Sequence, residues 1–313
     1  MKFFRYIFLP LALLQCAVSF TGCSDDNEPD VFYQPVTELG KRVFSATSIN
    51  RIYTDTTFVV ALGVTETDIH CQKMNSRPVH LFIIDIDLNN PHVNLEVALP
   101  YDQNVTKDFS RQTLTEMAHY ADAPFRRVAA MVNADFWDVK NMDIRGPIHR
   151  NGVILKDNFI YTDRLPQQAL SFIALTKDNK MVIADSAEYR PMRYNLREVT
   201  GSGVMVVRNG EVSGTNYPGV DPRTCIGCSD DGHVYFLVCD GRVEFYSYGL
   251  DYGEMGAIMK ALGCRSAANL DSGGSSQMLI RHPIADVFQI RNRPSDGAER
   301  PVVNAWMVTV DEP

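Results

Sequence analysis

Apolar and polar positions alternate in short runs along most of this chain, and helical spacing is confined to two stretches. Phe58-Val59-Val60-Ala61-Leu62 is a compact apolar run of strand type. His80 to Leu88 is another, closed by Asn89-Asn90-Pro91, which favours a turn. Val93 to Leu99 alternates with period two, as a half-buried strand does. Its closeness to the preceding run predicts an antiparallel hairpin across that turn. Val128 to Val132 reads as a buried strand running into Asn133-Ala134-Asp135-Phe136-Trp137. Two further hairpins are predicted, Leu170–Leu175 with Met181–Ala184 around Asp178-Asn179, and Val204–Val207 with Glu211-Val212 around Asn209-Gly210. Leu114, Met117 and Ala118 fall at i, i+3 and i+4 and predict a helix over 112–120. A second helix is predicted over 250–263. There Asp251 and Glu254 have capping-box spacing, Met255, Ile258, Met259 and Leu262 form one apolar face, and Gly263 stands where the helix should stop. Ala267 to Leu270 follows as a short buried strand. Hairpins with a few packed helices predict an α+β domain built mainly of antiparallel strands.

The first residues have a different character. Lys2 and Arg5 precede an apolar run from Ile7 to Phe20, interrupted by Pro10, Gln15 and Ser19, and then Thr21-Gly22-Cys23. This order predicts a signal peptide over 1–22, with lipidation at Cys23 after cleavage. The run is short for a spanning helix, which needs roughly 20 apolar residues. Ser24-Asp25-Asp26-Asn27-Glu28 is too polar to fold, so 23–30 reads as an acidic tether. An acidic stretch directly after such a Cys resembles the export signal of surface-exposed lipoproteins. The expectation is an outer-membrane lipoprotein held to the membrane by its lipid and facing the cell surface, with a periplasm-facing anchor as the alternative. Residues 31–313 then form a single domain, in which 31–77 is a leading segment.

The formal charge of −8 and the lack of any basic stripe argue against nucleic acid as a partner. Beyond Cys23 there are Cys71, Cys225, Cys228, Cys239 and Cys264. Cys225-Ile226-Gly227-Cys228 has redox or zinc spacing, but no second pair of ligands accompanies it. These cysteines sit in apolar runs and read as core, with one disulfide left open.

Four segments place polar groups at strand ends. In Asn269-Leu270-Asp271-Ser272-Gly273-Gly274-Ser275-Ser276, strand alternation puts Asn269 and Asp271 on one face. The two glycines allow close approach to backbone amides, which can form an anion-binding nest, and the serines add hydroxyl donors. Arg223 and Arg242 offer guanidinium groups of the kind that grip phosphate, with Asp240 between them in sequence. Asn133 and Asp135 are again two apart. The fourth segment is Asn292-Arg293-Pro294-Ser295 followed by Glu299-Arg300.

Taken in chain order, with the capped helix ending Leu262-Gly263 between Arg242 and Asn269, these segments cover roughly residues 78–310 and resemble the phosphodiester glycosidase family, which includes the mannose 6-phosphate uncovering enzyme. One departure stands out: Ser272 replaces the first of the family's three glycines. The resemblance implies hydrolysis of a glycosyl phosphodiester in an exported, phosphate-linked carbohydrate, without a resident cofactor. Asp271 or Glu299 would act as base or stabiliser, with Asp240 orienting. Arg223, Arg242, the Gly273 and Gly274 amides and Ser275 would hold phosphate, Asn133, Asp135 and Asn269 would contact the sugar, and Ser276 and Arg300 would also bind substrate. Two alternatives stay open from the residues. One is a metal-assisted phosphodiesterase that cleaves P–O, with Asp135, Asp240 and Asp271 holding a divalent cation. The other is a glycan-binding lipoprotein without catalysis.

Overall fold

The computed structural model describes residues 34–104, 110–217 and 219–311. The signal, tether and Cys23 positions lie outside them. The chain begins α1 (Glu38–Ala46), β1 (Ile49–Ala61), β2 (Val64–Lys73), β3 (Pro78–Asp87), β4 (Val93–Ala98), α2 (Leu114–Ala121) and β5 (Arg127–Asn133). It continues β6 (Ile148–Arg150), β7 (Val153–Lys156), β8 (Ser171–Thr176), β9 (Met181–Asp185), α3 (Ser186–Met192), β10 (Leu196–Ser202), β11 (Met205–Arg208) and β12 (Glu211–Val212). The last part is β13 (Arg223–Cys228), β14 (His233–Cys239), α4 (Tyr252–Ala261), β15 (Ser266–Asn269), β16 (Met278–Arg281), β17 (Phe288–Ile290) and β18 (Ala305–Val310).

The strands form three antiparallel sheets. The largest has the order β1-β2-β3-β14-β13-β15-β11-β12, and the smaller two are β7-β6-β10-β8-β9 and β17-β16-β5-β18-β4. The architecture is α+β and rich in strands. One face of the large sheet meets both smaller sheets in the main core, where Phe82, Ile84, Phe236 and Val238 pack with Ile173, Leu175, Val132 and Trp306. Its other face is covered by α1 and α4 through Val43, Met255, Ile258 and Met259. Burying each such side chain contributes roughly 1.5–3 kcal/mol. The capping box of α4 is formed by Asp251 and Glu254, and Gly263 takes φ 94° just beyond its end.

The hairpins at 171–185 and 205–212 form as their turn residues predict, with Asn179 and Asn209 both in the left-handed region. The hairpin expected between 80–88 and 93–99 does not form. β3 lies between β2 and β14, whereas β4 borders β18 in another sheet. β3 is buried on both faces along most of its length, so it belongs in a sheet interior, and the Asn-Asn-Pro turn carries the chain from one layer to the next. Cys71, Cys225, Cys228, Cys239 and Cys264 are buried free thiols, and burial pushes Cys71 and Cys228 up to about 12. They behave as small core residues.

Candidate active site

The site forms where the large sheet abuts the sheet that contains β5. β15 ends at Asn269, and the Asp271 amide then donates to the Ala134 carbonyl beyond β5 at 2.9 Å. Asn133 fixes this junction. Its Nδ2 donates to the Asp271 carbonyl at 2.7 Å, and its Oδ1 accepts from the Thr224 hydroxyl and the Gln277 amide at 2.8 and 3.1 Å. Asn269 is fully buried and braces its own turn, donating to the Leu270 carbonyl and accepting from the Ser272 hydroxyl. Strand alternation therefore does not set Asn269 and Asp271 side by side, because the strand stops between them.

Ser272 is extended, with φ −130°, and Gly273 supplies the positive φ of 68°. A serine is thus compatible with the place of the family's first glycine. The Gly273, Ser275 and Ser276 amides donate to the Pro222, Ser272 and Gly273 carbonyls, so this short helical turn has few amides free for an anion. The Ser276 hydroxyl is buried without a partner among the described residues.

Asp271 is partly exposed at the floor of a cavity of about 580 Å³. Burial pushes its carboxyl up to about 6, against hydrogen bonds from the Ser275 hydroxyl, the Ser272 amide and the Trp137 indole and the charge of Arg300. Arg300 packs on Gly274, donates to the Ser275 hydroxyl at 3.2 Å and is paired with Asp296 at 2.7 Å. The rest of the wall comes from loops with no periodic pattern. It includes Trp137, Asp138, Lys140 and Arg145 after β5, and Thr162, Arg164 and Gln168 before β8. Asp138 is paired with Arg145 at 3.0 Å. Asp138 offsets Arg145 and Asp296 offsets Arg300, which leaves Lys140 and Arg164 facing Asp271 with no ion pair among the described residues. A site with that balance attracts an anion. Lys140, Arg145, Arg164 and Gln168 went unread in the sequence. The only signal was the density of charge directly after the Asn133–Trp137 motif.

The other candidates have different surroundings. Asp135 is buried, and its Oδ2 accepts from the Gly146 and Gly201 amides at 3.0 Å each. Burial raises its pKa, opposed first by Lys156. The Gly146 and Gly201 backbones touch here so closely that a Cβ on either would collide with the other. Asp135 thereby binds the loop bearing Trp137 and Lys140 to β10. Asp240 accepts from Asn292 Nδ2, the Arg293 amide and the Tyr246 hydroxyl at 2.9–3.0 Å. Glu299 accepts from the Thr115 amide and hydroxyl at 3.1 and 2.6 Å, at the start of α2. Arg242 is paired with Asp221 at 2.6 Å and lies against Gly273. Arg223 lines an adjoining cavity, stacked on Tyr252 at 4.2 Å. A larger cavity of about 690 Å³ is lined by Arg126, Arg150 and Glu96. Arg126 and Arg150 are already paired with Glu96 and Asp102, so it makes a weaker site despite its size. Asp135, Asp240 and Asp271 do not converge on one point for a cation, and among the described residues no group of three His, Cys, Asp or Glu is placed to hold one.

Residues 126–309, more than half of the chain, match the family model of phosphodiester glycosidase. The chain belongs to the phosphodiester glycosidase family. That family comprises glycosidase-type hydrolases of glycosyl phosphodiesters. The phosphodiester glycosidase domain is similar in fold to the catalytic domain of zebrafish N-acetylglucosamine-1-phosphodiester alpha-N-acetylglucosaminidase, which is auto-inhibited there by its pro-peptide. The TM-score is 0.61 at 15% identity, over 83% of this chain and 89% of that one. A hypothetical protein from Synechocystis aligns with TM-score 0.57 at 15% identity, over 82% of this chain and 64% of that one. In sequence the chain is 25% identical over 209 residues to the SPbeta prophage-derived uncharacterized protein YomE of Bacillus subtilis (strain 168). The match spans 64% of this chain but 30% of YomE.

Proposed function

We propose that this protein hydrolyses the bond between an anomeric carbon and a phosphodiester oxygen in a phosphate-linked glycan, with Asp271 as the working carboxylate. The observation that carries this reading is the placement of Asp271, with its carboxyl at about 6, in the lining of a cavity that also presents Lys140 and Arg164 without ion pairs among the described residues. At neutral pH it is ionised. It accepts a proton from water as the water oxygen bonds to the anomeric carbon, and the C–O bond pair leaves with the phosphate. Free sugar and a phosphomonoester result. Arg300, Arg164 and Lys140 hold the departing phosphate, whose charge grows as the bond breaks. Phosphate leaves readily, so a strong general acid is dispensable. Trp137 borders the cavity beside Asp271 and offers an edge for the sugar ring. The fold's likeness to the zebrafish enzyme makes an N-acetylglucosaminyl phosphodiester the first substrate to try.

The test is turnover of such a diester in ¹⁸O-labelled water. Label in the released sugar supports cleavage at carbon. Label in phosphate supports the metal-assisted alternative, and binding without turnover supports a glycan-binding lipoprotein. Export and anchoring belong to the same reading: Cys23→Ser moves the protein from the membrane to the soluble fraction if Cys23 carries lipid.

A further inference from the structure

Arg223 is a buried cation with neutral partners. The residue is 6% exposed. Its Nε donates to the Leu250 carbonyl at 3.0 Å, one terminal nitrogen donates to the Gly219 carbonyl, and the guanidinium stacks on the Tyr252 ring at 4.2 Å. No ion pair to it occurs among the described residues. A guanidinium taken out of water without a counter-charge is costly, and its five donors exceed the two acceptors named. It lines a cavity of about 480 Å³ together with Gln167, Tyr217, Val220, Asp221 and Tyr252. Asp221 is neutralised by Arg242, which leaves the cavity with one uncompensated positive charge.

This cavity adjoins the one at Asp271. Gln167 lines the first and its neighbour Gln168 the second. The Gly273 amide is bonded to the Pro222 carbonyl at 3.0 Å, between Asp221 and Arg223 in the chain. Arg242 lies against Gly273 while gripping Asp221. Asp271, in the lining of one cavity, is thus two residues from Gly273, which is bonded to the segment that carries Asp221 and Arg223 in the lining of the other.

We propose that the Arg223 cavity is a second anion subsite, so that the substrate carries, beside the phosphate being cleaved, another phosphate-like group that seats on Arg223. This rests on the reading of the Asp271 cavity as the place of cleavage. The substrate class is then a glycan with more than one phosphate, such as a repeating sugar-phosphate chain.

The test compares two synthetic diesters, one with a neutral aglycone and one with a phosphomonoester on the aglycone. The wild type is expected to favour the second by about tenfold in kcat/KM, mostly through KM, the effect of one charge-assisted contact. That ratio falls toward one in Arg223→Gln. It falls likewise in Val220→Glu, where a new charge enters the cavity from an exposed position and does not threaten folding. Turnover of both diesters by the wild type at equal kcat/KM overturns the inference and leaves the reading of Asp271 standing. Equal loss on both diesters in Arg223→Gln also overturns it, since Arg223 would then hold the scissile phosphate. If neither diester is cleaved, calorimetric titration with inorganic phosphate decides. A site lost in Arg223→Gln and kept in Asp271→Asn supports the subsite even though the reading of Asp271 has failed. No Arg223-dependent saturation ends both.

Discussion

Asp240 and Asp271 both follow short buried strands, both precede a glycine turn, and burial raises the pKa of both. They differ in how their oxygens are occupied. Asp240 takes hydrogen bonds from the side chain of Asn292, the amide of Arg293 and the hydroxyl of Tyr246, and so fastens the 292–293 segment to the end of β14. The donors to Asp271 come from its own turn and from Trp137, and part of the carboxyl faces an open cavity. An acid at a strand end is therefore poised for chemistry by what it leaves unmet, while a full set of partners turns it into a brace.

The contrast is sharpest in Asp271→Asn. If the carboxylate is the base, kcat falls by about 10²–10⁴ with the fold intact. In the parent, kcat/KM falls about tenfold per pH unit below about 6, where Asp271 becomes protonated, and levels off above it. A flat acid limb would remove Asp271 from the chemistry. Asp240→Ala acts on the other quantity. It strands the Asn292 and Arg293 donors, and stability measured by urea unfolding should fall by about 2–4 kcal/mol.

A fourth measurement turns on sign. The Asp271 carboxyl sits at about 6 in the fold, above its unfolded value of about 3.9. A raised carboxyl favours the fold while protonated. That contribution is complete below about pH 4 and is lost as pH rises through about 6. Asp271→Asn should therefore be more stable than the parent at pH 8, by about 1–2 kcal/mol after allowance for partial exposure, and equal to it at pH 4. The smallest effect is expected for Glu299→Gln. Its carboxylate serves the first turn of α2, so thermal unfolding should register a loss of about 0.3–1 kcal/mol, while kcat stays within about twofold. A large fall in kcat would return Glu299 to the list of catalytic carboxylates.

Much of the local structure was legible in the sequence because it depends on near neighbours. The capping box and apolar face of α4, and the Asn-bearing hairpin turns, are local rules met in full. What pairs with what across layers was not legible. β3 and β4 are adjacent in the chain, yet their burial assigns them to different sheets. The same limit applied at the site. The motif around Asp271 was visible as composition, but Asn133 and Asn269, read as sugar contacts, are buried in bonds that hold the turn. The cationic wall lies on loops whose residues have no periodicity to announce them. Asp240, Asp271 and Glu299 could not be ranked because the ranking depends on partners roughly 50 to 180 residues away, which strand and helix patterns do not encode.

The contact of Gly146 with Gly201 limits how this cleft can be adapted to another glycan. Any bulk at either position would pry the loop carrying Trp137 and Lys140 away from β10 and disturb both walls together. Retailoring is confined to the loop tips beyond that seam, around 139–143 and 162–168, where side chains can change without moving the acid they surround.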